Sequence, residues 1–358
     1  MFAHLSLPLL LLAFVAAGVA VWIAGIYLSN TTDVLSSRFG LGQALGGLLL
    51  LAIVTNLPEL AITVSAALGG HLDIATGNIL GGIAIQTVVL VLLDVFGLGR
   101  QDALTYRAAS LVLVLEGLLV LAVLAVAVLG SQLPDTAIVA RVPPAALLIF
   151  GLWVAGLWLV GKARKDLPWQ ALGTAPPGGR PEPKGTAKPK KDEKAQQKPG
   201  STTQTILVFV AAAGVTLVAG VVLESSGDAI AGHLGMSGVL FGSTVLAAAT
   251  SLPEVSTGLA SIRLGDYQLA VSDIFGGNAF LPVLFLLASV ISGQAVLPHA
   301  GKTDLYLTGL GMLLTCVYLF GLLFRPRRQV AGMGLDSLLV LVFYALGVVG
   351  LIVISGHH

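Results

Sequence analysis

Residues 55–59 read Thr-Asn-Leu-Pro-Glu, and residues 250–254 read Thr-Ser-Leu-Pro-Glu. A shift of 195 residues lays one on the other without a gap. The same shift carries Gly77-Asn78-Ile79-Leu80-Gly81-Gly82 onto Ser272-Asp273-Ile274-Phe275-Gly276-Gly277. Over positions 54–86 and 249–281, ten of thirty-three residues are identical. The matches concentrate at Pro, Glu and Gly, not at the apolar positions that any two membrane helices share by chance. The chain is an internal duplication with an acidic residue at the centre of each copy.

The surroundings of the motifs define their solvent. Of 358 residues, 56% are hydrophobic and 10% charged, and the mean hydropathy is +0.94. A soluble domain carries about 25% charged residues, so most of this chain has lipid as its solvent. A spanning helix takes about 20 mostly apolar residues. Ten stretches qualify, near 6–28, 40–68, 73–96, 104–129, 142–161, 205–223, 235–262, 267–292, 303–324 and 335–354. No Lys or Arg precedes the first apolar run, so it reads as a retained helix and not a cleaved secretory signal. The single cysteine, Cys316, excludes an intramolecular disulfide and reads as a packed helix residue. A net charge of +1 points to no nucleic-acid partner.

Residues 162–204 are rich in Pro, Gly and Lys, without apolar period, and read as a disordered cytoplasmic linker. They divide the chain into halves 1–161 and 205–358, with the repeats over 40–96 and 235–292. The expected fold is all-α integral membrane, ten transmembrane helices as two inverted five-helix repeats. Inversion follows from arithmetic: five is odd, so the second half enters the membrane from the opposite side. Such a repeat is a transporter architecture, with its site near the midplane on interrupted helices. An outside N-terminus in the cell membrane puts Arg38, Arg100, Arg107, Arg263, Arg325, Arg327, Arg328 and the basic linker in the cytoplasm. Only Arg141 and Lys302 then face out, as the positive-inside bias requires.

Pro58 and Pro253 lack an amide hydrogen, so the carbonyls of Val54 and Ala249 lose their helical partners. In hydrocarbon that is tolerable where the break lines a polar cavity. Glu59 and Glu254 follow the prolines directly. An ionisable group at mid-membrane costs at least about 2.5 kcal/mol, and two equivalent ones should face each other across the pseudo-axis. No Lys or Arg lies near them in a core span, so a cation, or protons exchanging with one, neutralises the pair. Thr55 and Thr250 stand four residues before each Glu, a spacing that puts hydroxyl and carboxylate on one helix face. Hydroxyl, carbonyl and carboxylate are the oxygen set preferred by hard cations, and no Cys or His lies nearby to suggest zinc or copper. Asn78 and Gln86 on the third helix, and Asp273 on the eighth, form the facing wall. Asn78 and Asp273 either join the site or bond a neighbouring helix and hold the kinks.

Other polar residues read more plainly. Glu116, in the fourth span, is a relay or, better, bonds another helix. Asp94, Asp102, Asp135, Glu224, Asp228, Asp304 and Asp336 fall near helix ends and read as solvated. His71, His233 and His299 read as solvated turn residues.

At the two acidic motifs the sequence resembles the sodium/calcium exchanger family of the cation/calcium exchanger superfamily. Its two alpha repeats pair a G-T-S-L-P-E motif with a G-N-x-x-G-S motif, on five plus five helices around a central loop. The resemblance implies a Ca2+ site between helices two, three, seven and eight, flanked by Na+ sites and exposed alternately to each side. It implies Glu59 and Glu254 as central ligands. Thr55, Thr250 and the carbonyls of Ala52 and Ala247 would add to them, with Asn56 and Ser251 in the family's serine places. The departures are Val54 and Ala249 for Gly, Gly82 and Gly277 for the motif-ending Ser, Gln86 and Leu281 four residues on, and Asp273 for Asn.

The expected function is therefore a secondary cation antiporter, exchanging Ca2+ for Na+ by alternating access. A proton-coupled exchanger and a non-transporting scaffold or sensor are the alternatives. The G-N-x-x-E signature of proton-coupled relatives is absent. An intramembrane protease would need a Ser/His pair, H-E-x-x-H or a G-x-G-D acid pair, and the sequence has none, so no enzyme and no resident cofactor is expected. The expected partners are Ca2+, a monovalent counter-ion (Na+, H+ or K+) and the bilayer; the oligomeric state is open, with a monomer plausible.

Overall fold

The computed structural model describes residues 4–38, 48–99, 102–136, 142–164, 167 and 201–355. The first half runs α1 (Leu7–Arg38), α2 (Leu48–Thr55), α3 (Leu57–Gly69), α4 (Leu72–Leu92) with a π-helical extension over Leu93–Leu98, α5 (Leu104–Ala108), α6 (Leu111–Gly130) and α7 (Pro144–Ala163). The second runs α8 (Thr202–Leu234), α9 (Gly238–Phe241), a π-helical turn over Gly242–Leu246, α10 (Ala247–Thr250), α11 (Leu252–Arg263), α12 (Tyr267–Phe280), α13 (Leu284–Ser292) and α14 (Lys302–Phe324). A hairpin of β1 (Gln329–Val330) and β2 (Met333–Gly334) leads into α15 (Leu335–Ser355).

Among the described residues nine helices are long and apolar enough to cross a membrane, and Leu57–Gly69 is a shorter apolar helix. The expected second span, 40–68, is divided at Asn56 into α2 and α3, and residues 39–47 lie outside the described residues. Most of the expected linker also lies outside them. Its ends are helical: α7 continues to Ala163, and α8 starts at Thr202.

The duplication in sequence is a duplication in space. Under the 195-residue shift α1 maps onto α8, α3 onto α11, α4 onto α12 and α6 onto α14. The packing obeys the same mapping. The long helices α1 and α8 lie side by side; α1 crosses α11 as α8 crosses α3; α4 packs on α14 as α12 packs on α6. Two inverted repeats thus enclose α4 and α12, which are buried along most of their length. The helices α1, α7, α8 and α15 turn large apolar side chains outward, among them Leu12, Trp158, Val218 and Leu346, as lipid-facing helices do.

Backbone details repeat too. Both α3 and α11 lead into a reverse turn through a glycine at positive φ, Gly70 at +80° and Gly265 at +78°, a conformation costly for any other residue. The turns close with matching bonds, His71 N to Ala66 O and Asp266 N to Ser261 O, both 2.9 Å. Where α1 and α8 cross the motif helices, Gly25 faces Pro253 and its equivalent Gly220 faces Pro58 and Ala61. A Cβ on Gly25 would stand 2.7 Å from the Pro253 ring, and one on Gly220 2.7 Å from Ala61 Cβ. Small residues let membrane helices touch backbone to backbone.

Four acids expected to be solvated are instead buried: Asp94, Glu224, Asp304 and Asp336. Each lies near a helix end, but other segments fold over that end. The Asp94 carboxylate accepts Leu104 N at 2.8 Å and Gly334 N at 2.6 Å, tying α4 to α5 and the hairpin. Asp304 Oδ2 accepts Gly301 N at 2.8 Å and caps its own helix. Glu224 accepts from Ser65 at 2.9 Å and pairs with His71 Nδ1 at 3.1 Å, joining α8 to the α3–α4 turn. His71 is thus a partner in an ion pair and not a free turn residue, whereas His233 and His299 are exposed as expected. Glu116 bonds another helix end: Arg164 Nη2 donates to Glu116 Oε1 at 2.7 Å and to Ser272 Oγ at 3.0 Å, binding the end of α7 to α6 and α12.

Two outcomes follow from these pairs. Arg164→Ala leaves the Glu116 carboxylate buried without its cation and should cost about 2–3 kcal/mol. Thermal unfolding in detergent should show that loss, largely recovered in Arg164→Ala/Glu116→Gln. His71 has its pKa raised above 6.5, first by the hydrogen bond to Glu224, against burial, with Asp228 and Asp73 adding to the rise. A raised folded-state pKa means the pair contributes fully below the unfolded value and is lost as pH climbs through the raised one. The unfolding midpoint, scanned upward from about pH 6, should fall in that window, and His71→Gln should flatten the fall.

Candidate cation-binding site

The site begins with two backbone breaks. Proline is accommodated in the first turn of a helix, where its missing N–H is not needed. Each motif uses that: α2 ends at Thr55 and α3 starts at Leu57 with Pro58 in its first turn, while α10 ends at Thr250 and α11 starts at Leu252 with Pro253 in the same place. The residue between is Asn56 at φ −88°, ψ 16° and Ser251 at φ −81°, ψ 4°. The helices are therefore interrupted, and Thr55 and Glu59 belong to different segments. The expected single face carrying both is replaced by another arrangement. Thr55 Oγ1 donates back to Leu51 O at 3.0 Å, and Thr250 Oγ1 donates back to Ala247 O at 3.2 Å.

Asn56 Nδ2 donates to Ala52 O at 2.6 Å, and Ser251 Oγ donates to Ala247 O at 2.8 Å. The two carbonyls named as ligand candidates are thus covered by equivalent side chains.

Glu59 and Glu254 are fully buried and share a donor. Gln86 Nε2, on α4, lies 3.1 Å from Asn56 Oδ1, 3.3 Å from Glu254 Oε1 and 3.5 Å from Glu59 Oε1. One carboxamide therefore bridges the central acids of both repeats. Glu59 Oε2, Glu254 Oε2 and Gln86 Oε1 have no hydrogen-bond partner. Such groups each cost about 1–3 kcal/mol in a dry interior. Buried oxygen acceptors gathered at one place are the ligand chemistry that hard cations take. No group of three or more His, Cys, Asp or Glu able to hold a metal exists among the described residues. A cation here would draw on two carboxylates plus neutral oxygens.

The facing wall divides. Asn78 is fully buried, and neither atom of its amide finds a partner. Asp273 Oδ2 accepts from Thr257 Oγ1 on α11 at 2.7 Å. Asn278 on α12 donates to Thr87 on α4 at 3.1 Å, next to Gln86. Sequence reading singled out none of Thr257, Thr87, Asn278, Gly25 or Gly220. Extending the 195-residue comparison into the first helix would have found the glycine pair. The polar pairs join helices far apart in sequence and carry no local signal.

A family model described as sodium/calcium exchanger protein matches residues 9–161 and 204–353. The chain belongs to that family. The inner membrane protein YrbG of Escherichia coli (strain K12) is 30% identical over 309 residues, 86% of either chain. The crystal structure of the H+/Ca2+ exchanger CAX superposes with a TM-score of 0.67 at 13% identity, over 97% of this chain and 86% of that one. The sodium-calcium exchanger NCX_Mj superposes with a TM-score of 0.59 at 15% identity, over 97% and 100%. At those identities the likeness is one of fold.

Gln86→Ala removes the shared donor from three acceptors at once. In chelator, where no multivalent cation compensates, it should lower stability by about 1–3 kcal/mol in detergent unfolding.

Proposed function

We propose that this exchanger is a secondary antiporter that moves Ca2+ against Na+, with Glu59 and Glu254 as the central ligands. The observation that carries the reading is the meeting of the two buried carboxylates on one amide. A pair of acids with no basic residue beside it is neutralised by one divalent cation or by two monovalent charges, and exchange is the alternation of those two states. Thr55, Thr250, Asn56, Ser251 and the carbonyls of Ala52 and Ala247 form the second tier of oxygens. They are freed when Asn56 and Ser251 turn from their own helices to the ion. Asn78, Gln86 and Asp273 complete the wall on α4 and α12.

The inverted packing supports alternating access. Equivalent breaks in α2/α3 and α10/α11 let either half open toward its own side while the other stays closed. The orientation proposed is an outside N-terminus with the central linker in the cytoplasm of a cell-membrane protein, from the distribution of Arg and Lys. A monomer contains both halves of the site.

Gly82 and Gly277, which remove two hydroxyls, favour a second reading in which protons replace Na+ on the same carboxylates. Proteoliposomes loaded with Ca2+ and given Na+, K+ or pH gradients in turn separate the two. Flux driven by Na+ at equal pH supports the proposal, and flux driven by the pH gradient alone replaces it. Glu254→Gln should abolish flux under either gradient. Residual exchange above about one per cent of the wild type would remove Glu254 from the centre.

A further inference from the structure

The two halves differ where their repeats face each other beside the carboxylates. The 195-residue shift pairs Gly82 with Gly277 and Gln86 with Leu281. In space the pairing is reciprocal. A Cβ on Gly277 would stand 3.2 Å from Gln86 Oε1 and 2.8 Å from Asn56 Nδ2, and a Cβ on Gly82 would stand 3.2 Å from Leu281 Cδ1. Each glycine therefore leaves the volume of one side chain, and the residue four positions on in the opposite repeat takes it. On one flank the occupant is a carboxamide. On the other it is an isobutyl group. Gln86 and Leu281 are both fully buried.

A cation leaving water needs oxygen atoms to replace its hydration shell. The Gln86 flank has one in Oε1, which lacks a partner, on an amide already bonded to Asn56, Glu59 and Glu254. The amide works as a swivel. With Nε2 forward, its hydrogens take the place of a positive ion between the carboxylates. Turned over about Cγ–Cδ, it offers Oε1 to an ion at the same position. On the Leu281 flank the side chain in the place of Gln86 is carbon alone, and Gly82 adds no hydroxyl.

We propose that the chain has one flanking monovalent-cation subsite, built on Gln86 and admitted by Gly277, and that Leu281 seated on Gly82 closes the equivalent one. Gln86 is then the residue that selects the monovalent ion. The number of such ions moved per Ca2+ is lower than two polar flanks would give. This rests on the Na+ antiport reading above.

The test is Ca2+ flux in proteoliposomes as a function of Na+ concentration, because the steepness of that curve is bounded by the number of Na+ sites. Gln86→Leu should lower the Hill coefficient by about one and raise the Na+ concentration for half-maximal flux at least about tenfold. Gly82→Ser/Leu281→Asn should raise the coefficient by about one by opening the closed flank. Leu281→Asn alone serves if the double variant does not fold. Leu281→Met, which keeps the flank apolar, should leave the curve where it is. Unchanged steepness in both Gln86→Leu and the opened-flank variant, with wild-type flux intact, overturns the one-flank proposal while leaving Na+ antiport standing. A wild type that shows no Na+-driven flux at all overturns the antiport reading itself, and this inference with it.

Discussion

Two carboxylates held together in the middle of a membrane protein are the constraint from which the rest of the architecture follows. Each would be cheaper in water, and neither has a basic neighbour. The fold keeps them by supplying a neutral donor, the Gln86 amide, and by leaving Glu59 Oε2 and Glu254 Oε2 without partners. The helix breaks serve the same end. Pro58 and Pro253 have no N–H to give the carbonyls of Val54 and Ala249, and Asn56 and Ser251 at the breaks add side-chain donors to Ala52 O and Ala247 O. The outer helices then accommodate the broken ones. Gly25 and Gly220 admit the proline turns at van der Waals distance, so the weakest stretches of backbone are backed by the longest helices in the chain.

Much of this fold is written along the chain. Lipid as solvent, the duplication and its inversion follow from composition, a fixed shift and an odd count. What stays hidden is whatever depends on one segment folding over another. Asp94 looks solvated because it lies near a helix end, and it is buried because the hairpin 240 residues along the chain brings Gly334 N to it. Glu224 looks the same until the α3–α4 turn sets Ser65 and His71 against it. Hydropathy along a window cannot register a cap supplied from the other half.

The centre is legible to the same degree. The acids and Gln86 were readable from motif and spacing, Asn56 and Ser251 from the family resemblance, and the structure brings Gln86 to both acids and to Asn56. The i, i+4 relation between Thr55 and Glu59 was not a safe guide, because it presumes a helix that Pro58 ends. Spacing rules hold only inside an unbroken element, and this site is made of breaks. Asp273 illustrates the remainder: its partner Thr257 sits on α11 in the same half, where no repeat comparison points, since the equivalent position holds Ile62.

That last mismatch belongs to a pattern. Positions that shape the path are alike in the two halves: the prolines, the acids, the turn glycines at 70 and 265, and the crossing glycines at 25 and 220. Positions that line the space beside the acids differ: Asn78 against Asp273, Gln86 against Leu281, Ile62 against Thr257. Two equivalent half-channels require backbones that exchange shapes, so drift in the first set would stop one half from adopting the other's conformation. No such demand falls on the second set, because an ion bound as proposed would meet both walls at once and need only their sum. Under the proposed antiport, symmetry is held where the halves must exchange conformations and released where the walls face the ion.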